Sequence, residues 1–203
     1  MMKVALIGAT GMVGSRILAE LDRRGHVVTG IVRNPEKVPI STRVAAKKGD
    51  VHDERGLAAL LAGHDAVISA VRFTASDPDK LIGAAKAANV GRYLVVGGAG
   101  SLEVASGVRL FDTPEFPAIY LAEARAGGAF LDRLREETAL DWTYLSPSAV
   151  IAPGARTGKF RLGGDALLRH AGGSSISAED FAVALVDELE EPAHSRRRFT
   201  VGY

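Results

Sequence analysis

Three glycines spaced three apart, Gly8, Gly11 and Gly14, lie between a short apolar run, Val4-Ala5-Leu6-Ile7, and a segment with Ile17, Leu18 and Leu21 on one side. The run reads as a strand buried on both faces, and the segment after it has helical spacing. Strand, glycine turn, helix is the setting in which such a turn does chemistry. Glycine lets the backbone turn tightly and come close to a ligand. The helix beyond offers free N–H groups and the positive end of its dipole. A dinucleotide pyrophosphate suits that place, held by Gly8, Thr10, Gly11, Met12, Val13 and Gly14. The spacing is not the G-x-G-x-x-G form. No Gly-Lys-Ser/Thr follows, as a P-loop requires.

A second chemical position comes after the next strand, His26 to Val32, in Arg33-Asn34-Pro35-Glu36-Lys37. A site selective for NAD usually has an acidic residue here for the ribose 2′-hydroxyl. Arg33 can instead pair with a 2′-phosphate through two parallel hydrogen bonds and stack on adenine. The competing reading is a solvated arginine at a strand end. NADPH is therefore expected in preference to NADH. Asn34-Pro35 reads as a cap with a first-turn proline.

These residues need elements to position them. Val44 to Val51 reads as a third strand, weakly apolar and near the sheet edge. Asp50, beside Val51, would either accept from the adenine amino group or cap the helix marked by Leu57, Leu60 and Leu61. Asp65 to Val71 is a fourth strand, and its end, Ser69-Ala70-Val71, should lie beside the glycine turn. Asp77-Pro78-Asp79 opens a helix to about Asn89. Tyr93 to Val96 is a fifth strand, leaving through Gly97-Gly98-Ala99-Gly100-Ser101. Thr113-Pro114-Glu115 reads as the cap of a long helix ending near Thr138. Trp142 to Leu145 is a sixth strand, closed by Ser146-Pro147-Ser148. Strands alternating with helices predict an α/β fold with a doubly wound parallel sheet and right-handed crossovers.

From Ala149 the rhythm breaks. A single domain over 1–203 is expected, with 149–203 contributing most of a small lobe that covers the substrate. Ser177-Ala178-Glu179-Asp180 reads as a capping box for a last helix carrying Phe181, Leu185 and Leu189. Phe199-Thr200-Val201 is a final strand, and Arg196-Arg197-Arg198 reads as its solvated edge.

The chain has 203 residues, 47% hydrophobic and 24% charged, with a net charge of +1. That balance gives no field to draw nucleic acid or an anionic membrane. With no cysteine, disulfides, thiolate metal sites and a cysteine nucleophile are excluded. Met1-Met2-Lys3 before apolar residues looks superficially like a signal peptide, but the stretch is needed as the first strand. The cytoplasm is the expected compartment. The five histidines are scattered, so no metal site is expected. No G-x-S-x-G elbow supports a hydrolase. Expected partners are limited to a small-molecule acceptor, with the chain a monomer or homodimer.

With these residues in view, the chain resembles an atypical short-chain dehydrogenase/reductase. It is similar to the NmrA-like, NAD(P)H-binding family, in the subgroup described provisionally as NADH-flavin reductases. The resemblance rests on Gly8-Ala9-Thr10-Gly11-Met12-Val13-Gly14, Val32-Arg33-Asn34-Pro35, Val95 to Ser101, Ser146-Pro147-Ser148, Arg156-Thr157-Gly158-Lys159 and Ile176 to Asp180, almost the whole chain. It implies a Rossmann sheet with nicotinamide near Gly97, Gly98, Pro147, Ser148 and Ala149, and a C-terminal lobe that chooses the acceptor. Members of the superfamily typically reduce carbonyls with a Ser, a Tyr and a Lys four residues after the Tyr. Ser101 is placed as that serine and Tyr120 as that tyrosine, but the fourth residue after Tyr120 is Ala124. Without the ammonium, a tyrosine near its ordinary pKa of about 10 is a poor acid at neutrality. The expected activity is hydride transfer without a Tyr-Lys pair, to a flavin, quinone or similar acceptor. FMN or FAD would be a substrate rather than a prosthetic group. The alternatives are a non-catalytic NADP(H) sensor and an epimerase, dehydratase or carbonyl reductase of the same fold.

Overall fold

A computed structural model describes residues 1–203. In chain order the elements are β1 (Lys3–Ile7), α1 (Met12–Arg23), β2 (Val27–Val32), β3 (Val44–Lys48), α2 (Glu54–Leu61), β4 (Ala66–Ser69), α3 (Pro78–Ala87), β5 (Arg92–Val96), the short β6 (Glu103–Ala105) and β7 (Val108–Arg109), α4 (Ala118–Arg135), β8 (Trp142–Pro147), β9 (Val150–Ala152), β10 (Arg161–Gly163), β11 (Ser175–Ser177), α5 (Ala178–Glu190) and β12 (Arg197–Gly202). The main sheet runs β10-β12-β8-β5-β4-β1-β2-β3. All its pairings are parallel except β10 against β12. The five helices flank this sheet, a Rossmann-like α/β fold.

The strand sequences are apolar on both faces because both faces are covered. Val4, Leu6, Ala66, Ile68 and Leu94 pack with Ile17, Leu18 and Leu21 of α1 and Phe181, Leu185 and Leu189 of α5. Ala5, Ile7, Val67, Tyr93 and Val95 point the other way, against Leu57 and Leu61 of α2, Leu81 and Ile82 of α3, and Phe130, Leu131 and Leu134 of α4.

Three readings of the sequence change. Thr113-Pro114-Glu115 does not cap α4, which starts at Ala118 behind Pro117. A helix begun at Thr113 would need an N–H from Pro117 for the Thr113 carbonyl, and the proline ring would clash with it. Phe116 N–H donates to that carbonyl instead, closing a turn. Arg196-Arg197-Arg198 is not uniformly a solvated edge, because β12 lies inside the sheet, between β8 and β10. The Arg198 side chain is 3% exposed and donates to the Ser101 hydroxyl and carbonyl and to Asp165. The segment outside the main layers is also narrower than 149–203. Within that range, α5 belongs to a core layer and β12 to the sheet. Between them and β8 lie β9 and β11, which form a small parallel pair, and the strand β10.

Carboxylates fasten the intervening loop. Buried Asp180 accepts from the Thr157 and Gly158 backbone N–H groups, each at 2.8 Å, and from the Thr157 and Tyr203 hydroxyls. Gly158 takes φ +67°, a left-handed turn that favours glycine. Glu20 on α1 is 4% exposed. It accepts two bonds from Arg156, both 2.9 Å, and others from Arg23 and Arg24. The Arg156-Thr157-Gly158 motif is thus a clasp joining the loop to α1 and α5.

Burial opposes the charge on Glu20, but the guanidinium bonds from Arg156, Arg23 and Arg24 outweigh it and hold the carboxyl well below its ordinary value of 4.5. A depressed folded pKa gives stability that is present above about 4.5 and lost as the pH falls toward the folded value. Glu20→Gln should therefore lower the unfolding free energy by about 2 kcal/mol at neutral pH. The gap from wild type should narrow toward about pH 3. Urea unfolding at both pH values measures this; a gap that stays constant would show that the Glu20 charge does not fasten the clasp.

Candidate functional site

The sheet's parallel strands bring several predicted positions to its carboxyl edge. Ile7 pairs with Ile31 on one side and Ser69 on the other, so the exits of β1, β2 and β4 lie level. The ladder continues past the strands: Gly8 N–H donates to Ile31 O, Ala70 N–H to Ile7 O, and Gly97 N–H to Leu145 O. The order turns back at β1, with β2 and β3 to one side and β4 and β5 to the other. Open parallel sheets bind ligands in the crevice at such a point.

The glycines in the first turn have different reasons. Gly8 takes φ +86°, and a Cβ there would come 2.5 Å from the Ala70 carbonyl. At Gly14 a Cβ would come 2.1 Å from the Gly8 carbonyl. Both are fixed by the protein's own backbone, which brings Ala70 against the turn and α1 hard against the end of β1. Gly11 is different. Its φ of −70° and ψ of 169° suit any residue, and a Cβ would meet Gly8 O at 3.5 Å and Ala70 O at 4.0 Å, both ordinary contacts. Nothing in the fold requires glycine there, whereas a ligand close to the backbone would.

The start of α1 carries a matching vacancy of charge. No side chain caps it and no acidic residue lies in its first turn. Helix α2 is capped by Asp53, α3 by Asp77 and α5 by Ser177, each with an acidic residue in the first turn; α4, behind Pro117, shares the bare start of α1 but does not follow the glycine turn. The free N–H groups and the positive dipole end of α1 remain available to an anion. Thr10, Gly11 and Met12 are exposed beside them and Val13 half-buried. These features fit a dinucleotide pyrophosphate.

The other predicted residues divide. Arg33 is exposed at the end of β2, and its side chain has no hydrogen-bond or ion-pair partner. Asp50 is exposed and accepts from His52 N–H at 2.9 Å. It does not cap α2, which Asp53 does. Val51 packs against the α2–α4 side of the core. Ala70 and Val71 are half-buried beside the glycine turn, and Ser69 is buried. Gly97 and Gly98 are half-buried at the β5 exit. A Cβ on Gly98 would meet only the Phe73 ring, at 3.8 Å. Pro147 and Ser148 are buried and Ala149 is exposed. The Ser148 hydroxyl is turned into the fold, donating to Val201 O at 3.1 Å.

The two catalytic expectations, Ser101 and Tyr120, lie in different surroundings. Ser101 is 5% exposed, and its hydroxyl accepts from Arg198 at 3.0 Å. Through Arg198 it ties the loop after β5 to β12. Tyr120 is 62% exposed on the first turn of α4. Ala124 lies one turn on, against Gly100, where a Cβ would come 2.5 Å from the alanine Cβ.

Two organising residues were missed in the sequence. Tyr144 of β8 is buried; its hydroxyl donates to Gly127 O at 3.1 Å and accepts from Gly98 N–H at 3.2 Å. Burial raises its pKa, keeping it a neutral strut between α4 and the β5 exit. A tyrosine within a strand apolar on both faces must find its hydroxyl a partner, and that was the available signal. Glu123 of α4 accepts from Phe73 N–H, Thr74 N–H and the Thr74 hydroxyl at 2.7, 3.1 and 2.6 Å, holding the turn beyond β4. Burial opposes its charge, but these donors hold its carboxyl below the ordinary range. No local pattern marks it.

No group of His, Asp and Glu gathers in a way that could hold a metal. No helix is long and apolar enough to cross a membrane. Residues 8–192 match the NAD(P)H-binding family model. The chain is 44% identical to YwnB of Bacillus subtilis, an uncharacterized protein, over 98% of each chain. A solved structure from Bacteroides thetaiotaomicron, provisionally named an epimerase, superposes with a TM-score of 0.94 at 44% identity, over 99% of this chain and 96% of that one. Another from Streptococcus pneumoniae, provisionally named an NADH-flavin reductase, gives 0.84 at 37% identity, over 100% and 99%. The open glycine turn, the uncapped helix behind it and likenesses that run the length of the chain lead to one assignment: the protein belongs to the NAD(P)H-binding family, in its NmrA-like, atypical short-chain dehydrogenase/reductase branch.

Proposed function

We propose that this chain is an NADPH-dependent reductase that delivers hydride to a flavin, quinone or similar conjugated small molecule. FMN or FAD would serve as substrate rather than prosthetic group. The observation that carries the acceptor class is Ala124. It fills the position four residues after Tyr120 and packs against Gly100, so the chain carries no ammonium there. The Ser101 hydroxyl accepts from Arg198, which also supports a reading without the usual Ser-Tyr-Lys relay. A conjugated ring can accept hydride without a positioned side-chain acid, provided the rings are stacked and oriented. When bound, the nicotinamide supplies the hydride. The chain's own part is to bind and orient. The start of α1 and Gly11 would hold the pyrophosphate, and Arg33 the 2′-phosphate. Gly97, whose bare side packs on Tyr144, would flank the ring, and Gly98 would let it approach the backbone.

The same features fit a non-catalytic NADP(H) sensor, and turnover separates the two. The missing Tyr-Lys pair weighs against an epimerase or carbonyl reductase. We place the protein in the cytoplasm, as a monomer or homodimer, with no nucleic-acid or membrane partner. The compartment and the absence of nucleic-acid or membrane partners are argued from the near-neutral charge and lack of cysteine.

Three outcomes are expected. In Gly11→Val the circular dichroism spectrum should stay native while NADPH binding, measured by calorimetry, collapses. Gly14→Val should lose the fold itself, because its side chain runs into the Gly8 carbonyl. Unchanged affinity in Gly11→Val would remove the pyrophosphate from this turn.

Charge-assisted bonds to a 2′-phosphate contribute about 1.5–3 kcal/mol each. Wild type should then prefer NADPH over NADH by roughly ten- to hundredfold, nearer the lower end for so exposed a group. Arg33→Ala should weaken NADPH alone, and Arg33→Asp should invert the preference. Dissociation constants at fixed ionic strength decide it; equal affinities in wild type would mean that Arg33 does not read the phosphate.

NADPH oxidation followed with FMN or a quinone should proceed, and Tyr120→Phe should keep it within about tenfold, against the roughly 10²–10⁴ lost with an essential general acid. A larger drop in a folded variant would show that Tyr120 supplies a proton. No oxidation with any conjugated acceptor would favour the sensor.

A further inference from the structure

A cavity of about 520 Å³ opens at the end of the sheet away from the glycine turn, lined by the first residues of β8 and β12, Trp142 and Arg197. Four arginines line it, Arg135, Arg196, Arg197 and Arg198, against a single carboxylate, Asp165. That carboxylate is already committed. It pairs with Arg198, whose side chain is 3% exposed, and with Arg135 at 3.3 Å. Arg135 also pairs with Asp132 at 3.0 Å. This network fixes one part of the lining and neutralises part of its charge. The side chains of Arg196 and Arg197 form no hydrogen bond or ion pair, so two exposed guanidinium groups on successive residues remain uncompensated. Arg196 is held at φ +53°, the left-handed region, with its N–H on Trp142 O at 2.7 Å. A non-glycine residue held there is a strained feature of the kind that gathers at binding sites.

We propose that this cavity is a second, anion-binding site for a small molecule bearing a diphosphate or two adjacent phosphate groups. Each guanidinium presents a planar fork that matches phosphate oxygens, and two such forks lining one cavity suit two linked phosphates better than one. The volume falls in the range of small-ligand pockets. The cation excess selects anions, and the fixed Arg135–Asp165–Arg198 network pre-forms the lining, so less ordering is needed on binding. The site is separate from the cofactor cleft and does not depend on the proposed reductase activity.

The test uses inorganic pyrophosphate as the probe, with sulfate at matched ionic strength as the control, on the full chain. Isothermal calorimetry is run with and without saturating NADP⁺, since pyrophosphate could also occupy the start of α1. Binding should persist when NADP⁺ is saturating. It should weaken at least tenfold in Arg196→Ala/Arg197→Ala and vanish in Arg196→Glu/Arg197→Glu. These exposed side chains have no partners, so melting temperatures of the variants should match wild type and NADP⁺ binding should be unchanged. Three results would overturn the site: no binding, binding abolished by NADP⁺, or affinity unchanged in the double variants. Sulfate binding as tightly as pyrophosphate would reduce it to general charge attraction and overturn the diphosphate assignment.

Discussion

The fold is built on a tight approach between α1 and the exit of β1, where the backbone leaves no space for side chains. The place of a Cβ on Gly14 is 2.1 Å from the Gly8 carbonyl, and that of one on Gly8 is 2.5 Å from Ala70 O. Only three successive accommodations allow this: no side chain on Gly8, none on Gly14, and a left-handed Gly8. Together they set the angle and depth at which α1 leaves the sheet. The start of α1, with its free N–H groups, is therefore aimed by packing rather than by a capping side chain. The helix then gives one flank for α5 to cover, and both share a core with β1, β2 and β4.

The loops are fastened differently. Where apolar area is scarce, this chain uses buried or half-buried carboxylates as acceptors for several donors at once. Asp180 gathers the 157–158 turn and Tyr203, Glu20 gathers Arg156, and Glu123 gathers the turn after β4. A carboxylate taken from water needs its lone pairs filled, and backbone N–H groups in loops need acceptors. Each cluster answers both needs. Tyr144 does the same as a neutral group between Gly98 and Gly127. The candidate site is accordingly rigid on the β4 and β5 side, where Glu123 and Tyr144 lie. It is open at Gly11 and Gly98, where the fold itself does not demand glycine.

Chemistry is narrowed by what the side chains are already doing. A serine bonded to a buried arginine and a tyrosine standing in solvent cannot be treated as a dyad merely because they occur in the expected order. Ala124 against Gly100 is a positive packing choice: two small residues allow α4 to approach the β5 exit.

The sequence by itself determined the sheet, its parallel winding and the glycine turn. Those follow from short-range rules: apolar runs covered on both faces, helical spacing, and glycine where the backbone must pass close. The apolar run Val4 to Ile7, the cap from the Ser177 hydroxyl and the exits at Gly8 and Gly97 were legible for that reason. The other half of the expected capping box does not form, because Ser177 N–H donates to the Tyr203 hydroxyl and Asp180 serves the 157–158 turn. Tertiary structure decided which glycines the protein needs for itself and which stand open, because that depends on carbonyls from Gly8 and Ala70 arriving from separate segments. It also decided that α4 starts behind Pro117, that β12 is inserted between β8 and β10, and that Arg198 is buried. An arginine's exposure depends on its neighbours in space, and Asp165 and Ser101 lie 33 and 97 residues from Arg198 in the chain. No local pattern carries information over that separation; only the folded arrangement of charges and donors does.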